Sequence, residues 1–285
     1  MQDAGGDMSE VSVRNDVVFG SGGGRDLLCD VYSPADPAEA RPAVLLVHGG
    51  GWRRGDKSVM EGFGRRLAAE GFVGVASQYR LSDEAPWPAH IEDVKAALRW
   101  MRSNAPGLGI DASKIAALGR SAGAHLVLLA AGTPGLPDFE GSGGNPDHST
   151  EVAAVVGVFP PTVFFAGENR IHGGTPARAL MGEGATAEAA SLASPLHHVT
   201  PSYPPAMLLH GTADKVVPVT ASMVMYEALV KAGVPAEMHL YAEQPHGFAG
   251  QPDFIDLCAA ETVHFLKRYL LRAAAAGEQE AAGAS

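Results

Sequence analysis

Lys114-Ile115-Ala116-Ala117-Leu118, then Gly119-Arg120-Ser121-Ala122-Gly123, then Ala124-His125-Leu126-Val127-Leu128-Leu129-Ala130-Ala131, is the stretch whose reading decides the fold. A short apolar run of strand length leads into a Gly-x-Ser-x-Gly turn, and the turn opens an apolar run of helix length. The two glycines clear space on either side of Ser121 that side chains would otherwise fill against the neighbouring strand and helix. A serine in such a turn stands above the end of a sheet. It lies beside a helix N-terminus whose unpaired N–H groups favour developing negative charge.

Outward from there the chain alternates. Strand-like runs are expected at residues 11–19, 26–32, 43–47, 73–79, 114–118, 152–159, 206–210 and 236–241. Ile91, Val94, Leu98 and Met101 recur every three or four residues after Pro86 and Pro88 and mark a helix. Met223, Tyr226, Leu229 and Val230 repeat the theme before Gly233 and Pro235, and a last helix is expected from about Asp253 to Ala273. Strands as apolar as Val44-Leu45-Leu46-Val47 suit a sheet covered on both faces, and alternation with helices makes that sheet mostly parallel. The first two runs have no helix between them and are joined near Ser21-Gly22-Gly23-Gly24, so they are expected as an antiparallel hairpin at the sheet edge. No Lys-Ser/Thr follows these glycines and no helix begins there, which favours a turn over a phosphate cradle.

The predicted fold class is therefore α/β, a mostly parallel central sheet flanked by helices. The 285 residues are expected to form a single domain over 1–276, followed by a flexible tail at 277–285. Residues 133–150, rich in Gly, Pro and Asp, read as a surface loop. Residues 160–205 interrupt the rhythm between two strands, where an inserted lid would fit.

Composition narrows the partners. A formal net charge of -11 argues against a nucleic-acid surface, which would need clustered Lys and Arg. Cys29 and Cys258 lie far apart, with neither a disulfide framework nor zinc-ligand spacing. The adjacent pair His197-His198 lacks companion ligands and reads as structural, so neither metal nor organic cofactor is expected. Met1-Gln2-Asp3-Ala4-Gly5-Gly6-Asp7 lacks the basic start and apolar run of a secretory signal, and the apolar stretches break too soon to span a bilayer. The expectation is a soluble cytoplasmic protein with no membrane partner, and a homodimer is left open.

A serine hydroxyl needs a base, and the base needs an acid to hold its tautomer. Of the 11 histidines, His239, His246 and His264 follow the candidate acid. His239 falls within an expected strand and His264 within the final helix, whereas His246 lies in Glu243-Gln244-Pro245-His246-Gly247-Phe248, a loop just past the last strand. For the acid, Asp214 in His210-Gly211-Thr212-Ala213-Asp214 directly follows a strand. Asp138 and Asp147, in the loop after the serine's helix, are poorer candidates; Glu243, three residues before the base, is a competitor for the acid or a residue that orients the loop. His48-Gly49-Gly50-Gly51-Trp52 follows the strand at 43–47, where glycines let main-chain N–H groups converge on an oxyanion.

Together with Tyr79-Arg80-Leu81 and Ser194-Pro195, these motifs resemble those of the α/β-hydrolase superfamily. The resemblance is to bacterial feruloyl/acetyl esterase-like (BD-FAE-type) and hormone-sensitive-lipase-like carboxylesterases, and runs from about His48 to Phe248. It implies a triad of Ser121, Asp214 and His246, and an oxyanion hole formed by Gly50, Gly51 and Ala122. Arg120 stands where many hormone-sensitive-lipase relatives carry an acid, and Ser82-Asp83-Glu84 replaces their Ala-Pro-Glu. Both departures favour the smaller feruloyl/acetyl-esterase-like branch.

Trp52, Trp87, Phe164 and Phe165 are candidates for lining the substrate pocket. The expected activity is hydrolysis of small-molecule esters with short acyl or aryl groups, through an acyl-enzyme. The rivals are an arylformamidase-like amide hydrolase and, from another class, a ligand-binding member of the fold without turnover.

Overall fold

The computed structural model describes residues 11–36, 40–168 and 172–271. The tail expected at 277–285 and the expected end of the last helix at Ala273 lie outside the described residues. In chain order come β1 (Val11–Gly22), β2 (Arg25–Pro34), β3 (Arg41–Val47), α1 (Glu61–Ala69), β4 (Val73–Ser77), α2 (Ala89–Ser103) and α3 (Ala105–Leu108). Next are β5 (Ile110–Arg120), α4 (Ala122–Gly132), α5 (Pro137–Glu140) and β6 (Val155–Val158). Between β6 and the next long strand lie two-residue strands β7 (Phe164–Phe165) and β8 (Thr175–Pro176), then α6 (Arg178–Met181) and α7 (Ala187–Leu192). β9 (Ala206–Gly211), α8 (Thr220–Lys231), β10 (Ala236–Tyr241) and α9 (Pro252–Leu270) follow.

One eight-stranded sheet has the order β1-β2-β4-β3-β5-β6-β9-β10. β1 pairs with β2, and β2 with β4, antiparallel; every other neighbouring pair is parallel. The expected hairpin thus sits at one edge, and the alternation of strands with helices has produced the parallel remainder. Along β3, Ala43, Leu45 and Val47 face a layer containing α2 and α4, while Val44 and Leu46 face α1 and α9. That two-residue alternation between two apolar layers is why β3 reads as uninterrupted hydrophobic sequence. α4 is buried from Ala122 through Ala131, consistent with its apolar residues on all sides.

Several expectations need correction. The run at 152–159 narrows to β6, because Phe159 turns to φ 42 and leaves the extended conformation. In α8 the inward residues are Ala221, Ser222, Met225 and Leu229, whereas Met223 is 45% and Val230 53% exposed. The segment 133–150 lies mostly on the surface, as expected, but one short helix ties it to α2. Glu140 in α5 accepts from buried Lys95 at 2.8 Å, Arg99 at 2.7 Å, the Gly135 N–H and the Thr150 hydroxyl. Among the described residues, no helix is long and apolar enough to cross a membrane.

Candidate active site

β3, β5, β9 and β10 run parallel, so the loops leaving their C-terminal ends share one rim of the sheet, where ligands of open α/β sheets bind. Ser121 leaves β5 at φ 52 and ψ −116, a sparsely populated conformation for a residue with a side chain. The flanking glycines make this turn possible by close approach. A Cβ on Gly119 would sit 2.2 Å from the Gly123 carbonyl oxygen, and one on Gly123 would sit 2.2 Å from that of Val47.

Asp214 follows β9 and has no exposed side-chain surface. The N–H groups of Val216 and Val217 donate to its Oδ1 at 2.8 and 2.9 Å. His246 follows β10. Its Nδ1–H donates to Asp214 Oδ2 at 2.6 Å, and the Ser121 hydroxyl donates to its Nε2 at 2.9 Å. These tautomers are assigned from the partners: a carboxylate only accepts, so Nδ1 carries the proton and Nε2 is left to receive one. Burial alone would raise the Asp214 carboxyl. Hydrogen bonds from His210, His246 and the Val217 N–H outweigh it and hold the group well below the usual carboxylate range.

The other candidates lie elsewhere. His239 sits in β10 facing Glu237 and Glu261, and His264 is on the exposed face of α9. Asp138, Asp147 and Glu243 are exposed.

The glycine loop after β3 folds against the serine turn: a Cβ on Gly49 would lie 3.2 Å from the Ser121 Cβ. Gly50 adopts φ +129, and a Cβ there would stand 1.9 Å from the Arg54 carbonyl oxygen, so this position admits only glycine. The Gly50 carbonyl accepts from the N–H groups of Arg53 and Arg54, closing the turn. Among the described residues, no backbone carbonyl accepts from the Gly50 or Gly51 N–H. Ala122 is the first residue of α4 and is buried.

A cavity of about 570 Å³ opens beside Ser121. Gly51, Trp52 and Arg53 line it from the sheet side, and Val216 and Val217 from the acid loop. Pro161, Thr175, Pro176, Arg178, Ala179 and Glu183 line it from the segment at 160–205. Of the four aromatic residues expected there, Trp52 is present. Trp87, Phe164 and Phe165 are not among the lining residues, and the reason is packing. Phe164 meets His125 and Trp52 with ring centroids 4.9 and 5.8 Å apart, and Trp87 meets His125 and Phe139 at 5.8 and 5.5 Å. Phe165 is 7% exposed.

Two histidines that pattern reading passed over complete the surroundings. His125, fully buried in α4, accepts from the Trp52 indole N–H at 3.2 Å and donates to the Ala193 carbonyl at 2.9 Å. His210, the penultimate residue of β9, touches Asp214. Their only signal in the sequence is position, four residues after the serine and four before the acid.

Comparison with known proteins follows the same line. The sequence model of the BD-FAE family matches residues 29–229. Esterase LipC of Mycobacterium tuberculosis is 34% identical over 239 residues, which cover 78% of this chain and 57% of LipC. The chain spans about half the length of the curated relatives it matches. The native structure of esterase Est2 from Thermogutta terrifontis superposes with a TM-score of 0.77 at 30% identity, covering 94% of this chain and 96% of Est2. A bifunctional GH43-CE protein of Bacteroides eggerthii superposes at 0.79 with 31% identity, covering 90% of this chain and 38% of its own. With the sheet order, the serine turn and these matches together, the chain belongs to the BD-FAE family and has the α/β-hydrolase fold.

Proposed function

We propose that this protein is a serine carboxylesterase acting on esters with short acyl groups. The observation that carries the proposal is the unbroken hydrogen-bond chain from Asp214 through His246 to Ser121 at the mouth of a cavity. In this mechanism His246 Nε2 takes the hydroxyl proton as Ser121 Oγ bonds to the ester carbonyl carbon. The carbonyl oxygen becomes an oxyanion facing the N–H groups of Gly50, Gly51 and Ala122, each such donor contributing about 3 kcal/mol to the barrier reduction. His246 then passes its proton to the departing alkoxide, which leaves as the alcohol. Water, deprotonated by the same imidazole, releases the acid from the acyl-enzyme. Asp214 stays ionised throughout and stabilises the imidazolium.

The walls given by Trp52, Pro161, Pro176, Ala179 and Val216 suit a small apolar acyl group, with Arg53, Arg178 and Glu183 as the polar part of the lining. Six residues between Pro161 and Glu183 supply half of this lining and, in this reading, cover the acyl group. Structures of Est2 are described with propionate and with butyrate bound, which supports the same acyl size here. The test is a panel of nitrophenyl acetate, propionate, butyrate and longer esters, with an aryl formamide as the amide comparison. The expected result is turnover concentrated on the short esters and lost in Ser121→Ala. Absence of ester turnover above buffer, or faster cleavage of the formamide, would overturn the proposal.

A further inference from the structure

Two imidazoles converge on one carboxylate oxygen. Asp214 Oδ2 lies 2.6 Å from His246 Nδ1 and 3.3 Å from His210 Nε2. His210 has no exposed surface and sits at the end of β9, so its ring cannot move far without disturbing the sheet. Its Nε2 is also 3.0 Å from the Val217 carbonyl oxygen, and its Nδ1 is 2.7 Å from the Ser222 hydroxyl in α8. Both neighbours of Nε2 are acceptors, so that nitrogen carries the proton. Nδ1 is then bare and accepts from the Ser222 hydroxyl, which fixes the tautomer.

Val217 is the residue whose N–H donates to Asp214 Oδ1 at 2.9 Å. The Nε2–H of His210 therefore holds the turn from Asp214 to Val217 at both ends, through the carbonyl of Val217 and through the carboxylate itself. Two backbone N–H groups on Oδ1 and two imidazoles around Oδ2 leave the carboxylate no free rotation. An imidazole aimed by such a fixed oxygen delivers its far nitrogen to one place, and a shift of about 1 Å there is enough to cost 100-fold in rate.

We infer that His210 is a positioning residue for ester hydrolysis, acting through Asp214 to aim His246, with Ser222 setting its tautomer. The inference rests on the triad mechanism proposed above. The competing role is simple space-filling between β9 and α8, and the substitutions separate the two. Gln places an amide N–H at the position of the histidine Nε2, whereas Asn ends one bond short and Leu has no donor.

The experiment measures kcat and KM on nitrophenyl acetate, with Tm, for wild type, His210→Leu, His210→Gln, His210→Asn, Asp214→Asn and the double variant His210→Leu/Asp214→Asn. The expected result is a kcat about 10- to 100-fold lower in H210L with KM within about three-fold of wild type. H210Q recovers most of the loss and H210N does not. On the D214N background, where the carboxylate is gone, H210L adds less than about three-fold. If H210L does not fold, the contrast between the Gln and Asn variants decides the question. A near-wild-type kcat in H210L, equal losses in H210Q and H210N, or multiplying losses in the double variant would overturn the inference. Should wild type fail to turn over esters, or Ser121→Ala remain active, the triad mechanism itself falls and the role of His210 with it.

Discussion

Ser121 can hold φ 52 because Gly119 and Gly123 let the strand behind it, the helix in front of it and the end of β3 approach backbone to backbone. Strain at Ser121 is thus held by two residues that carry no side chain of their own. Gly123→Ala would push a methyl group to 2.2 Å from the Val47 carbonyl oxygen, against backbone that cannot yield cheaply. The expected loss is about 3 kcal/mol of stability in a urea titration, with activity falling alongside it; a loss below about 0.5 kcal/mol would contradict the packing described. Asp214→Asn keeps the shape but lets the imidazole take the wrong tautomer, so kcat on nitrophenyl acetate should fall about 10⁴-fold. At this scale the hydrogen-bonded set of Ser121, Asp214 and His246 was legible because each member follows a strand inside a short motif. The pocket lining was not: Trp87, Phe164 and Phe165 are large and apolar, but their rings pack on His125 or in the core, and no local pattern separates wall from core.

Between elements, polar side chains add specific links to the apolar packing. Glu140 ties α5 to α2 by neutralising Lys95, whose side chain is fully buried, and Arg99, at 4% exposure. Glu140→Gln would strand two cations in the interior. The expected cost is about 3 kcal/mol, with faster proteolytic cleavage between residues 133 and 150; unchanged stability and cleavage would contradict the link. His125 joins a different set, reaching Trp52 in the glycine loop after β3 and Ala193 beside α7. None of these couplings shows in periodicity, which reports which face of an element is apolar and not which polar atoms meet across elements. The strands were readable because β3 and β9 are buried on both faces. α1 was not, since Gly62 and Gly64 interrupt its apolar stripe. Gly64 is needed there: a Cβ would come 2.4 Å from the Tyr32 ring.

Across the whole molecule, buried neutral histidines set the response to acid. Burial pulls His125 down to about 3, against the help of the Ala193 carbonyl, and pulls His90 down to about 4 with the Arg80 charge adding to it. In the unfolded chain both titrate near 6.5. Above that pH neither state binds protons and the stability is fully present. As pH falls from about 6.5 toward 4, the unfolded chain takes up protons that the native rings refuse, and stability is lost. Carboxylates held low, such as Asp56 and Asp214, add to the loss only below their unfolded range near 4. Calorimetry from pH 7 to pH 5 should therefore show a falling Tm, and a flat Tm would contradict the buried neutral state. The strand order could not be read from the sequence, because a sheet is built from pairings such as β2 with β4 across a whole intervening strand, and hydropathy carries no record of them.

Activation of Ser121 by His246 is the claim on which the rest depends, and reaction with a fluorophosphonate reports it without requiring the natural substrate. Mass spectrometry of the treated protein, followed by peptide mapping, should find one adduct on Ser121, with labelling at least 100-fold slower in His246→Ala. An adduct on another residue, or an unchanged rate in His246→Ala, would contradict it.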